Sequence, residues 1–438
     1  MSKRYVFWRQ PDGRPAPEGN DKYAPISLLS EYGLRSSINA NGGISHSDIL
    51  IFKLETALKS AVIILSPEGE ELNETDSWNI LRRSLINSVK KNGGKKALEN
   101  KELLDEADQL AAEFFRKPQI PYTLIGSLSI DSFPARSIKI GKCQISAAPS
   151  LSLFPPPKCI QAYSNLADHR ASSRYKFVRI SISGRSYSEA VSQGLHALHL
   201  LRGLWSIFTT PRWSMSFGGS RKDSLGTIHT GPVHTLHSQD GKPVADMLWI
   251  DPGWTKDQEL FSLKNDEWKI VEKNRRRAMR QLKRNKLGFQ REIENLIVRY
   301  ALALDQCDHD VAFLQMWSIL EKLTDTVGAK YDETVKRATW PFSKERTLRK
   351  EMLNCMRSRR NLYVHASESR SEADQAAYLV KEFVDVHLLM IMKNYFNVAD
   401  IQEYARLLTY PTDSAVLKSQ RVLLGKIIRA LDFQNKSQ

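Results

Sequence analysis

Cysteine is scarce in this chain. Cys143, Cys159, Cys307 and Cys355 are the only four in 438 residues, and they stand far apart without CxxC or CxxH spacing. That scarcity argues against a zinc site or a disulfide scaffold and fits a reducing compartment. No apolar run approaches the roughly 20 residues that a membrane-spanning helix needs. The opening MSKRYVFWRQPDGRP turns polar almost at once and carries no secretory apolar segment. The predicted location is therefore the cytoplasm, with no membrane partner. Several chemical signatures are missing too. There is no HExxH, no GxSxG elbow and no Cys–His pairing that spacing would single out. GGISHSD and SFGGS bear glycines but lack the GxxxxGK[ST] or GxGxxG context of a nucleotide cradle. No cofactor or metal is expected.

What is present describes a globular protein: 41% hydrophobic and 26% charged residues, in a chain long enough for at least two domains. Its 64 Lys and Arg outweigh 49 Asp and Glu, for a net charge of +15. Such an excess favours a polyanionic partner, because each phosphate neutralised releases condensed counterions.

The first half reads as mixed and strand-rich. SHSDILIFKLETALKSAVIIL holds two β-leaning runs, and SPEGEE follows with turn chemistry. A helical pair is expected near 75–91 and 96–117, broken by Asn92-Gly93-Gly94. YKFVRISIS alternates as a strand, and Ser186 with Glu189 forms a capping-box pattern that opens a helix to about Phe208. PVHTLHSQDGKPVADMLWI reads as a hairpin turning at Asp240-Gly241. From about residue 262 the pattern turns almost wholly helical. Helices are expected near 262–286, 289–305, 309–327, 344–365, 372–396, 399–409 and 414–432. The predicted fold is α+β: a mixed α/β domain over 1–261, a basic connecting helix over 262–288, and an all-α bundle over 289–438.

The connecting helix contains KNRRRAMRQLKRNK, eight Lys/Arg in fourteen positions: Lys273, Arg275, Arg276, Arg277, Arg280, Lys283, Arg284 and Lys286. That density predicts a helix basic nearly all round. It reads either as a solvated connector or as a grip on nucleic-acid phosphates. No aromatic residue interleaves it, so base stacking is not indicated.

The second segment of interest is MRSRRNLYVHAS, residues 356–367. Ser343 is the expected N-cap of its helix, with Glu345 in the first turn. Steps of about 100° per residue put Leu348, Met352, Cys355, Met356, Leu362 and Tyr363 on a core stripe. Asn354, Asn361 and His365 fall opposite it, and Asn361 and His365 are one turn apart. Arg360 lies about 140° from His365 by the same arithmetic. A histidine there is either an ordinary surface residue or a group that moves protons near neutral pH. An arginine supplies a fixed positive fork for a phosphoryl oxygen, and an asparagine one turn from the histidine can orient it or hold a substrate oxygen. Such a set suits cleavage of RNA, whose 2′-hydroxyl is a built-in nucleophile.

RNLYVH, late in an all-α region and before another long helix, resembles the signature of HEPN-domain ribonucleases: Arg, a polar residue, three variable positions, His. DVAFLQMWSILEKLTD resembles the helix ahead of it in Apea-like members, where a Leu-Glu pair recurs, here Leu320-Glu321. The resemblance covers about 289–438. It implies metal-independent RNA cleavage at a composite site in a homodimer, often in anti-phage abortive infection or as a toxin. Carried over, Arg360 and His365 would be catalytic, Asn361 accessory and Glu321 auxiliary, although helix packing explains Glu321 as well. The amino-terminal region would then answer a phage-derived or small-molecule trigger. Two other readings stay open: a non-catalytic nucleic-acid-binding or regulatory module built on the basic helix, and a protein–protein adaptor.

The remaining candidates have plainer explanations. His196 and His199 lie three apart on one helix, and His229, His234 and His237 crowd a predicted hairpin, but no thiolate or carboxylate pattern joins them as metal ligands. Trp205, Trp213, Trp249, Trp254 and Trp268 cluster in sequence and are expected in the core, with a ligand pocket as the sharper alternative.

Overall fold

The structure is a computed structural model of the whole chain. It describes every residue except 1–3, 12, 19, 39–40, 42–43, 46–47, 95, 164–165, 168–169, 171–173, 211–222, 252–253, 255–257, 329, 343–344, 367–372 and 437–438. The side chains of 45, 48, 364–366 and 430–436 also fall outside the description. Within these limits the fold is α+β, with antiparallel sheets and a helical carboxy-terminal region.

Residues up to 116 build around one core. Strand β1 (Val6–Trp8) pairs antiparallel with β4 (Val62–Ile64), and β2 (Ser37–Ile38) pairs with β3 (Ile44–Ser45). Helices α1 (Ile26–Arg35), α2 (Asp48–Ala61), α3 (Glu74–Lys91) and α4 (Asn100–Arg116) pack with them. The β-leaning reading of 45–65 holds only at its end. Leu50, Leu54 and Leu58 are buried at four-residue intervals, so burial favours a helix there, while Ile49 and Phe52 face out. In α4 the buried Leu103, Ala107, Leu110, Ala111 and Phe114 recur at helical spacing.

A six-stranded antiparallel sheet follows, in the order β10-β9-β5-β8-β7-β6. Its strands are β5 (Ile120–Leu128), β6 (Ile138–Ile140), β7 (Cys143–Ala147), β8 (Lys176–Gly184), β9 (Val233–His237) and β10 (Trp249–Ile250). β5 pairs with β8 over nine residues, Ile120 opposite Gly184 through Leu128 opposite Lys176. The expected alternation in β8 buries Val178, Ile180 and Ile182. The hairpin forms too: β9 pairs with β10, and Gly241 takes a left-handed φ of 84° in the tight turn.

Helix α5 (Tyr187–Thr209) lies on this sheet, its N-cap Ser186 accepting from the Glu189 amide at 2.9 Å. Two glycines let it sit between layers. A Cβ at Gly194 would stand 2.7 Å from Leu124 of β5, and one at Gly203 would stand 2.6 Å from the Ile297 carbonyl of the next layer. That layer comprises α6 (Asn265–Leu282), α7 (Leu287–Leu304), α8 (His309–Leu323), α9 (Tyr331–Ala338), α10 (Arg346–Ala366), α11 (Ala373–Lys393), α12 (Ile401–Leu407) and α13 (Ser414–Lys436). One continuous core runs from Leu124 of the sheet through Leu198 and Leu296 to Phe383. Polar groups tie the layers as well: buried Arg202 of α5 donates to Asp305, after α7, at 2.6 Å, and Trp205 donates to Glu272 of α6 at 2.7 Å.

The helices expected from periodicity form with close bounds, whereas α1, α2 and α9 are helices that the pattern does not predict. No helix among the described residues is long and apolar enough to cross a membrane.

Candidate active site on helix α10

Arginines hold helix α10 against the bundle more than apolar side chains do. Among its described residues only Leu353 is fully buried. The predicted core stripe fails at Leu348, 57% exposed, and at Cys355, also exposed. The face turned inward runs instead through Arg349, Leu353, Met356 and Arg360, spaced four, three and four residues apart. Arg349 pairs with Glu382 of α11 at 2.9 Å and stacks over Phe342, its Cζ 4.2 Å from the ring centroid. Arg357 pairs with Asp332 of α9. Arg359 pairs at 3.1 Å with the buried Asp310 in the first turn of α8. The expected N-cap Ser343 lies outside the described residues, and the Glu345 side chain accepts from Arg349 at 3.2 Å.

The motif residues sit at the end of this helix. Arg360 places its guanidinium over the ring of Tyr331, 5.0 Å from the centroid, and Arg357 approaches the same ring at 5.3 Å. Such contacts are worth about 0.5–2 kcal/mol, depending on desolvation, and they fix a cation without consuming its N–H donors. Arg360 Nη1 donates a long 3.4 Å bond to Asn361 Oδ1. Glu321 of α8 is half-buried, accepts from Trp317 Nε1 at 2.8 Å and lies within the electrostatic reach of Arg360. Burial pushes the Glu321 carboxyl above the usual carboxylate range, against the opposing pull of Trp317 and of the Arg360 charge. The packing role considered for Glu321 is therefore real, through Trp317, and it coexists with a place beside Arg360.

His365 belongs to α10 one helical turn past Asn361, but its side chain lies outside the description. Five positions at about 1.5 Å put it about 7.5 Å along the axis from Arg360, turned away by about 140°. Tyr331 escaped the sequence reading because α9 did. Nothing in the sequence marks Asp310 as the partner of Arg359.

The basic helix differs from its expectation in a specific way. Among the basic residues of α6 only Arg275 points inward: it is 5% exposed and makes two bonds of 2.8 Å to Glu272. A buried, paired guanidinium is no phosphate contact, so Arg275 leaves the nucleic-acid set. Lys273, Arg276, Arg277 and Arg280 are exposed and fall within an arc of about 100°, opposite the buried Trp268, Val271, Ala278, Met279 and Leu282. The helix is thus amphipathic, not basic all round. Lys283, Arg284 and Lys286 follow its end and are exposed as well.

The histidines serve the interior. Burial pushes His199 down to about 3, helped by Arg202, whose Nη2 lies 3.0 Å from its Nδ1. Burial likewise pushes His234 and His237 down to about 4. No group of three or more His, Cys, Asp or Glu among the described residues is arranged to hold a metal ion. Trp205 and Trp268 pack edge to face at 5.3 Å in the core, and Trp254 lines a small cleft with Tyr175, His229 and Asp305. Trp213 lies outside the described residues. No family model, no curated protein and no solved structure matches this chain.

Proposed function

We propose that this protein is an endoribonuclease that cuts RNA without a metal ion, using Arg360, Asn361 and His365. The observation that carries the reading is Arg360, held on the face of Tyr331 within the electrostatic reach of half-buried Glu321, with its N–H groups largely uncommitted among the described residues. A guanidinium so fixed suits the negative charge that builds on a phosphoryl oxygen. In the reaction the 2′-hydroxyl attacks the adjacent phosphorus and the bond to the 5′-oxygen breaks. His365 serves as the group that transfers the proton between these oxygens, leaving a 2′,3′-cyclic phosphate and a 5′-hydroxyl. Asn361 orients Arg360, and Glu321 sets the charge around it.

Because Arg360 and His365 diverge on one helix, a complete site calls for a second copy of the chain, a homodimer paired through the helical region. Helix α13 offers apolar surface for such pairing, with Val422, Leu423 and Ile428 57–60% exposed. The resemblance noted in the sequence further suggests a cytoplasmic defence or toxin effector that a signal at the amino-terminal region switches on. A second reading, a nucleic-acid-binding module without catalysis, draws on the exposed basic arc of α6. Mixing Arg360→Ala protein with His365→Ala protein separates the two readings. A composite dimer regains part of the wild-type cleavage in the mixture, whereas a binding module cleaves nothing in any combination.

A further inference from the structure

The exposed cations of α6 do not act alone. Beside them runs an open groove of about 470 Å³ lined by Lys139, Arg275, Arg276, Met279, Arg280 and Lys283. Five of these six residues are cationic and none is acidic; with Arg275 already paired to Glu272, Lys139, Arg276, Arg280 and Lys283 supply the charge. Lys139 comes from β6, remote in sequence, and faces solvent there between buried Ile138 and Ile140. Glu272, the acid near the floor, already accepts from Arg275 and Trp205 and reaches Arg276 only at 3.8 Å. Lys283 also feels Glu294 of α7, whose carboxyl burial pushes upward. Among the described residues Lys139, Arg280 and Lys283 make no ion pair within 4 Å.

We infer that this groove is a track for the phosphodiester backbone of a nucleic-acid strand. Arg276, Arg280 and Lys283 stand four and three residues apart, so their stems repeat at about 6 and 4.5 Å along the helix. That repeat lets one strand lay neighbouring phosphates along the helix while Lys139 closes the other wall. Without an aromatic lining residue, the track grips backbone without stacking bases, and its affinity is indifferent to sequence. It deepens the ribonuclease reading by assigning substrate capture to a surface away from Arg360, yet it stands or falls by binding alone.

The test uses full-length His365→Ala protein in EDTA, so that no cleavage intrudes, with a labelled 12-nucleotide RNA and the DNA of the same sequence. Fluorescence anisotropy across a salt series gives affinity and its salt slope. Two variants are compared with the parent, Arg276→Glu/Arg280→Glu and, on the opposite wall, Lys139→Glu; circular dichroism confirms that each is folded. A backbone track predicts at least tenfold weaker binding for the double variant and severalfold for Lys139→Glu. It predicts a log–log salt slope smaller by about 0.7 per lost contact, equally for RNA and DNA. Unchanged affinity and slope in folded variants overturn the track, as does binding that depends on base sequence. Loss of binding in the variants of a protein that never cuts RNA upholds the track and removes only the ribonuclease. Unchanged binding in the variants, with cleavage also unchanged when the same charge reversals are placed in the wild-type chain, removes the track and leaves the ribonuclease.

Discussion

At the scale of single residues, the account rests on how Arg360 is held. Lysine keeps the charge at that position but loses the planar fork and the stacking on Tyr331. Arg360→Lys and Arg360→Ala are both expected to lower kcat by about 10²–10³, the range for removing one transition-state donor. Tyr331→Ala, which leaves the charge and frees its position, is expected to cost about tenfold. Single-turnover cleavage of a defined RNA measures all three, and a Tyr331→Ala enzyme with wild-type rate would show that the stacking does not position Arg360. Arg359 plays a different part. Its pairing with Asp310, which is only 5% exposed in its side chain, ties α10 to the start of α8. Arg359→Met leaves that buried carboxylate without its guanidinium and is expected to cost about 3 kcal/mol of stability, read from urea unfolding at pH 7.

At the scale of elements, α10 is the one whose docking departs furthest from an apolar stripe. Its neighbours α8 and α11 bury Phe313, Met316, Trp317, Phe383 and Leu388 completely, whereas α10 fully buries Leu353 alone among its described residues. Ion pairs near the surface weaken as salt rises, and apolar packing does not. Amide hydrogens of 349–363 are therefore expected to exchange faster than those of α8 and α11, with the gap widening between 50 mM and 500 mM salt. Hydrogen exchange with mass spectrometry resolves the three helices, and equal protection at both salts would contradict this picture. The same contrast explains what the sequence made legible. Helix bounds were readable in α5, α7 and α11, where apolar residues recur at helical spacing, but not in α2, whose Leu50, Leu54 and Leu58 share that spacing amid a β-leaning run. The face of α10 was not, because arginines rather than Leu348 or Cys355 turn inward, and their acceptors Asp310, Asp332 and Glu382 come from three other helices. Arg275 shows the same limit within α6: its density of charge was plain, but the buried Glu272 that claims one guanidinium was not. The motif Arg360-Asn361-His365 was legible as a spacing, while Tyr331 beneath Arg360 needed the fold.

At the scale of the whole molecule, two large cores divide the described residues, one over residues 6–114 and one running from the sheet into the helical bundle, with a small third cluster at Ile160, Leu166 and Val233. Buried and half-buried histidines outside the first core make the stability of the protein depend on acid. His199 is pushed down to about 3 and His234 and His387 to about 4, each chiefly by burial. Their unfolded values lie near 6.5, so below that pH the unfolded chain takes up protons that the folded one refuses. Stability is expected to be level in this respect above pH 6.5 and to fall between about 6.5 and 4. Urea midpoints at pH 7.5, 6 and 5 check the sign. His387→Gln, which loses one such site, should flatten the fall, although its bonds to Tyr404 and the Ala338 carbonyl make it less stable overall at pH 7.5.

Catalysis by the end of α10 is the central claim, and the chemistry of the cut ends tests it most directly. Wild-type and His365→Ala proteins are incubated with a mixed RNA pool in EDTA, and the product termini are determined by mass spectrometry. The account predicts 2′,3′-cyclic phosphate and 5′-hydroxyl ends from the wild type and intact RNA from His365→Ala. Equal cleavage by both proteins, or products ending in 3′-hydroxyl groups, would contradict it.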